Sequence, residues 1–179
     1  MPDATSPAGG RTLSERAVLT LAARGVRSAS VRLPPTVHGE GDNNGFVSTL
    51  IATAREHAGS GYIGDGTNHW PAVHRLDAAR LFRLAVESAP AGLVLHGIAE
   101  QGVPTRTIAE AIGRGLGLPV VHVAPDAAEQ HFGWLAALFG LDVQASSTRT
   151  QRLLGWQPTH QSLIEDLDDG HYFNEGANA

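Results

Sequence analysis

Nine histidines in 179 residues make metal binding the first chemistry to weigh against residue spacing. No H-E-x-x-H is present, and no two histidines lie four apart on a single predicted helix. His69 and His74 come close across a short segment, but zinc requires a third and usually a fourth ligand, and the spacing supplies none. Glu40, Asp42 and Asn44 alternate ahead of Gly45 in the manner of a calcium loop. The twelfth position, where a bidentate acid belongs, is Ile51. Cysteine is absent, which removes thiolate sites and disulfides, and no metal is expected. A serine nucleophile would need a G-x-S-x-G elbow, which the chain lacks. Gly113, Gly115 and Gly117 have the spacing of a dinucleotide turn but close a helix before a strand. The working arrangement follows a strand and opens a helix. His96 and His122 lie in apolar strands and read as hydrogen-bonded core or strand-end residues.

The stretch that best suits ligand binding is Val31-Arg32-Leu33-Pro34-Pro35-Thr36-Val37-His38-Gly39. Residues 28–33 alternate small or polar with apolar side chains, the pattern of a strand. Pro34 and Pro35 fix their own φ and push their predecessors out of the α region, so residues 33–36 should form a stiff, extended loop. In an open α/β sheet, ligands bind beyond the carboxyl ends of strands, and this loop carries Thr36 and His38 there.

Elements that would position these residues follow from periodicity and caps. A helix capped at Thr12 or Ser14 runs to Arg24 and ends at Gly25. A second helix spans Phe46 to His57, with Phe46, Val47, Leu50 and Ile51 on one face. Residues 59–66 and 72–74 read as short extended pieces able to pair as a ribbon, joined by a loop at 67–71. The next helix reaches Ser88, with Leu76, Leu81, Leu84 and Ala85 inward and Asp77 capping its first turn. Residues 92–98 are almost continuously apolar, as in a strand covered on both faces. Thr105 to Leu116 is helical, 120–123 is a strand, and Pro125 to Gly140 is helical again. Ser146 and Ser147 cap a helix at 148–154, residues 155–158 turn, and 162–169 forms a last acidic helix. Alternation of helix and strand indicates an α/β protein.

Composition bounds the function. The chain is 42% hydrophobic and 17% charged, which is globular, and its length fits one domain. Thirteen scattered Lys and Arg against eighteen Asp and Glu give a net charge of −5, so nucleic acid is not an expected partner. Residues 1–10 read as a disordered lead-in without signal-peptide character, 11–173 as the domain and 174–179 as a tail. No apolar run approaches the roughly 20 residues a membrane span requires, and a cytoplasmic protein is expected.

In this order the motifs resemble the carboxyl-terminal half of an extended short-chain dehydrogenase/reductase, the NAD-dependent epimerase/dehydratase family. The segment at 31–39 is similar to the family's late strand and loop. Gly64-Asp65-Gly66 followed by Trp70-Pro71-Ala72-Val73-His74-Arg75-Leu76-Asp77 is similar to its second landmark, and 93–98 with the helix from Thr105 to its seventh strand and following helix. The resemblance implies a partial doubly wound, Rossmann-like parallel sheet with a small helical substrate-side subdomain. It implies NAD or NADP as cofactor, with Pro34, Pro35, Thr36 and Val37 at the nicotinamide end. It implies a small-molecule substrate lined by His38, Asn44, Phe46, Trp70 and His74. The family's glycine-rich first half is not in this sequence. Its catalytic Tyr-x-x-x-Lys falls on Arg11-Thr12-Leu13-Ser14-Glu15. Arginine cannot act as a base near neutral pH, and a glutamate raises a neighbouring acid's pKa where lysine would lower it. Weak or absent activity alone is therefore expected. The alternative is a non-catalytic module binding a small ligand or protein. Such a chain would self-associate, or pair with a separate nucleotide-binding half that covers the open sheet edge.

Overall fold

The computed structural model describes residues 9–174. Most of the expected lead-in and all but the first residue of the expected tail lie outside them. Helix α1 (Gly9–Thr20) continues as a 3-10 turn to Arg24 and stops at Gly25, whose φ of 81° only glycine adopts without strain. Strand β1 (Ala29–Arg32) follows and pairs in parallel with β5 (Leu93–His96). Side-chain alternation turns Ser30 and Arg32 toward Glu15 of α1, while Val31 packs with Leu81 and Leu84 of α3 (Arg75–Ser88). Helices thus cover opposite faces of this parallel pair, the doubly wound arrangement, in part.

The segment after the two prolines is not a loop throughout. Thr36–His38 forms strand β2, parallel to β4 (His69–His74), so that Thr36 faces Ala72 and His38 faces His74. Between them lie α2 (Phe46–Glu56) and β3 (Ser60–Ile63). The ribbon expected from residues 59–66 and 72–74 does not form. β3 pairs instead with β7 (Val120–Val123), and β4 takes β6 (Glu100–Pro104) as its antiparallel neighbour. Pro71 has no N–H for that ladder, and the register shifts between Trp70 and Ala72, a bulge where pairing would otherwise fail.

Helix α4 (Thr105–Leu116) has the strongest apolar stripe, burying Ile108, Ala109 and Ile112. The helical stretch expected at 125–140 is broken into short turns around α5 (Ala128–Phe132) and α6 (Ala136–Phe139), because Gly133 sits at φ 54°. After α7 (Thr148–Leu154) and the Gly155 turn, α8 (Leu163–Asp168) begins with a reciprocal Ser162/Glu165 capping box. Trp156, fully buried, closes the smaller of two apolar clusters with Val73, Ala78 and Leu81, and its indole donates to the Asp77 carbonyl at 3.0 Å. Leu76, expected inside, is exposed on α3, and His122 is exposed on β7. Trp156→Ala should lower unfolding stability by about 3–5 kcal/mol, read from urea denaturation. A loss under about 1 kcal/mol would show that this cluster does not anchor the turn.

Candidate functional site

Parallel pairing of β2 and β4 brings their carboxyl ends together, and His38 and His74 meet there edge to face, 5.4 Å between ring centres. His38 has no exposed surface. Its Nδ1 donates to Asp166 Oδ2 at 2.8 Å, and Asp166 Oδ1 receives a second hydrogen bond from His171 Nε2 at 3.0 Å. His74 accepts the Leu76 amide at Nδ1, which makes it the N-cap of α3, and stacks flat on His160 at 4.7 Å. The Nε2 side of His74 faces Gly39. A Cβ there would sit 2.9 Å from Nε2, and the φ of 136° also requires glycine.

Asp77 was expected from sequence to cap α3, but His74 does so instead. The buried Asp77 carboxylate turns inward to accept the backbone amides of Thr159 and His160 and the His160 Nδ1 hydrogen at 2.9 Å. Four histidines and two buried carboxylates form one array, tying residues 159–171 to the strand ends. Burial pushes both carboxyls up. Hydrogen bonds outweigh that, from His160 and Thr159 on Asp77 and from His38 and His171 on Asp166, leaving both lowered. Burial, then the neighbouring His38, pushes His74 down. Beside the array lies a polar cleft of about 320 Å³ between the Glu40–Asn43 loop, α2 and the Tyr172 turn. Tyr172 receives the Gly39 amide and donates to Asp42, and burial raises its pKa. Asp42 also accepts the Gly45 amide at 2.7 Å, which shapes the loop that resembled a calcium site.

Of the residues singled out from sequence, the structure sets His38 against His74 and Phe46 against Trp70, and the set differs in access. Thr36, His38, His74 and Trp70 are buried, as is Pro34, while Pro35 and Val37 are half-buried and Asn44 is exposed. Trp70 packs between Phe46 and Phe139 and donates its indole hydrogen to the Leu138 carbonyl. None of these residues lines the polar cleft. Two buried polar atoms on the same face of β2, Thr36 Oγ1 and His38 Nε2, have no hydrogen-bond partner among the described residues, and Glu100 lies 4.0 Å from the latter. Sequence reasoning missed Asp166, His160, His171 and Tyr172. Asp166 was legible only as part of a short acidic helix, and His160 fell between that helix and the turn at 155–158. Glu15, which the resemblance aligned with a catalytic lysine, clasps Arg32 through two hydrogen bonds of 2.6 and 2.9 Å and accepts from Ser30. Arg11 is exposed.

No protein-family profile matches the chain. It is 48% identical over 163 residues to the uncharacterized protein C2A9.02 of Schizosaccharomyces pombe, covering 91% of this chain and 55% of that one. It is 44% identical over 164 residues to the uncharacterized protein YLL056C of Saccharomyces cerevisiae, covering 92% and 55%. The chain therefore spans about half the length of the curated relatives it matches. Among solved structures, the dTDP-glucose 4,6-dehydratase of Bacillus anthracis in complex with NAD superposes with a TM-score of 0.70 at 15% identity, over 96% of this chain and 52% of that one. The UDP-glucuronic acid 4-epimerase of Bacillus cereus, solved with UDP-glucuronic acid and NAD, gives 0.68 at 18%, over 96% and 53%. At these identities the likeness establishes the fold: a Rossmann-like α/β unit matching about half of each neighbour. Among the described residues no helix is long and apolar enough to cross a membrane.

The array sets the acid response. Between its lowered value and the ordinary imidazole value near 6.5, His74 stays neutral in the fold while the unfolded chain binds a proton, so stability declines as pH drops through about 6.5. Asp77 and Asp166 contribute fully above about pH 4 and lose their contribution as pH falls through their lower folded values. Urea midpoints measured from about pH 8 to about pH 2 should fall in these two steps, and His74→Gln should flatten the first. A profile that His74→Gln leaves unchanged would exclude this assignment. Asp166→Asn should cost about 1.5–3 kcal/mol at neutral pH.

Proposed function

We propose that these residues form the substrate-side portion of an NAD(P)-dependent epimerase/dehydratase-like oxidoreductase, and that the strands gripping the dinucleotide come from outside this sequence. The reading rests chiefly on the β1–β5 pair. The Arg32 carbonyl accepts the Gly97 amide across the ladder, so the alternation of a parallel strand turns the N–H and C=O of Val31 to the opposite edge. That edge has no strand partner among the described residues, whereas the outer edge of β5 is covered where Thr150 Oγ1 accepts the His96 amide at 2.8 Å. A parallel sheet that ends abruptly on one side, in a chain matching half of NAD-bound neighbours, fits a sheet continued by further strands.

In this reading Pro34, Pro35, Thr36 and Val37 lie at the nicotinamide end of NAD or NADP. His38, Asn44, Phe46, Trp70 and His74 support the substrate side, the buried ones from beneath. Titration calorimetry of this chain with NAD(H) and NADP(H) should be silent. Adding the other half of a relative such as YLL056C, supplied as a separate polypeptide, should produce saturable micromolar binding. Silence from the mixture, with complex formation verified, would overturn the proposal, and so would tight binding by this chain alone.

The second reading is a self-associating, non-catalytic module. The open β1 edge favours it, together with Leu13 and Val18, which are 54% and 40% exposed on α1. Size-exclusion chromatography should then show elution that shifts earlier with concentration. A monomer persisting at tens of micromolar would count against it.

A further inference from the structure

Away from the histidine array, the β1–β5 pair carries a second concavity of about 350 Å³, walled by Arg32, Val94, His96, Ser146, Arg149 and Leu153. Its origin is topological. Strand alternation places Leu95, which is buried, on the α3 face and turns Val94 and His96 the other way. On that other face α1 bonds to β1, through Glu15 to Ser30 and Arg32, while α7 flanks the outer edge of β5 through Thr150. The sheet surface between the two helices is left open.

The wall is chemically one-sided. Its lining presents two guanidinium groups, an imidazole and the hydroxyls of Ser146 and Thr150, and the nearby carboxylate, that of Glu15, is spent on Arg32, in a chain whose net charge is −5. Arg32 is matched by Glu15, whereas Arg149 is exposed and has no ion-pair partner among the described residues. His96 is held in place by donating from Nδ1 to the Ser146 carbonyl at 3.2 Å. Val94 and Leu153 add apolar surface beside the charge, and the volume lies in the range of small-ligand clefts, roughly 300–1,000 Å³.

We propose that this concavity binds a small organic anion, its carboxylate or phosphate group on Arg149 and a compact apolar body on Val94 and Leu153. An arginine fork forms charge-assisted, directional hydrogen bonds to such groups. An exposed ion pair alone is screened and weak, so occupancy depends on the apolar body excluding water from it. The site is separate from the β2–β4 strand ends, and the proposal does not rest on the oxidoreductase reading.

Phenyl phosphate, benzoate, inorganic phosphate and phenol are the probes, each titrated into the full chain by calorimetry. Saturable binding is expected for phenyl phosphate or benzoate, with the tighter one identifying the preferred anionic group. Inorganic phosphate and phenol should bind at least about tenfold more weakly. Arg149→Gln, on an exposed helix position, should weaken the aromatic anion by about tenfold or more without moving the unfolding midpoint. Leu153→Asp, which adds a repelling charge at the same wall, should abolish binding. No saturation by either aromatic anion up to about 10 mM would overturn the proposal. Equal affinity for inorganic phosphate, or affinity unchanged in Arg149→Gln, would overturn it as well.

Discussion

Two carboxylates with almost no exposed surface, Asp77 and Asp166, hold the last part of the chain against the ends of β2 and β4. A buried carboxylate is tolerable only when most of its acceptor sites are filled. Asp77 fills them with two backbone amides and one imidazole, and Asp166 with two imidazoles. None of these donors is available until residues 159–171 have docked. The turn at Gly155 and Trp156, the capping box of α8 and the Tyr172 hydroxyl on Gly39 are consequences of one requirement, that the strand-end charges be solvated by protein. Glu100 obeys it as well, reaching from β6 to accept the Leu163 amide at the start of α8.

This organisation explains which features were legible in the sequence. Helices α2, α3, α4 and α7 were visible because their stripes and end signals agree, as do Leu50 and Ile51 on α2 and Ile108 and Ile112 on α4. Gly25 and Gly155 mark real helix ends. Strands β1, β5 and β7 were visible as apolar runs. By contrast β6, with the sequence Glu-Gln-Gly-Val-Pro, has no alternation to read. β2 hides behind two prolines, because its three residues become a strand only by pairing with β4. That is tertiary override of local preference. The ribbon error has the same source, since nothing local tells residues 60–63 to prefer a partner sixty residues onward.

The site was legible in its location and not in its chemistry. The strand bearing Thr36 and His38 does run beside the one bearing Trp70 and His74, because parallel pairing equates carboxyl ends, but the cleft next to them is lined by other residues. What the side chains do there depends on partners 80 to 130 residues distant in sequence, such as His160 for Asp77 and Asp166 for His38. A lone aspartate in a first helical turn reads as a cap. Only the fold reveals that His74 has taken the capping position and released Asp77 for the interior.

Glu15 carries the same reasoning to α1. Its carboxylate spans Ser30 and both donors of one edge of Arg32, and those bonds, Arg32 first, hold its pKa down. A lysine at this position would face the Arg32 guanidinium and repel it, so the glutamate and the arginine are two halves of one contact joining helix to strand. The glutamate at this position is thus built into the packing of α1 on β1. Glu15→Lys would remove that clasp and set two cations against each other. The packing of α1 on β1 therefore demands an anion at position 15, because Ser30 and Arg32 both present donors to it.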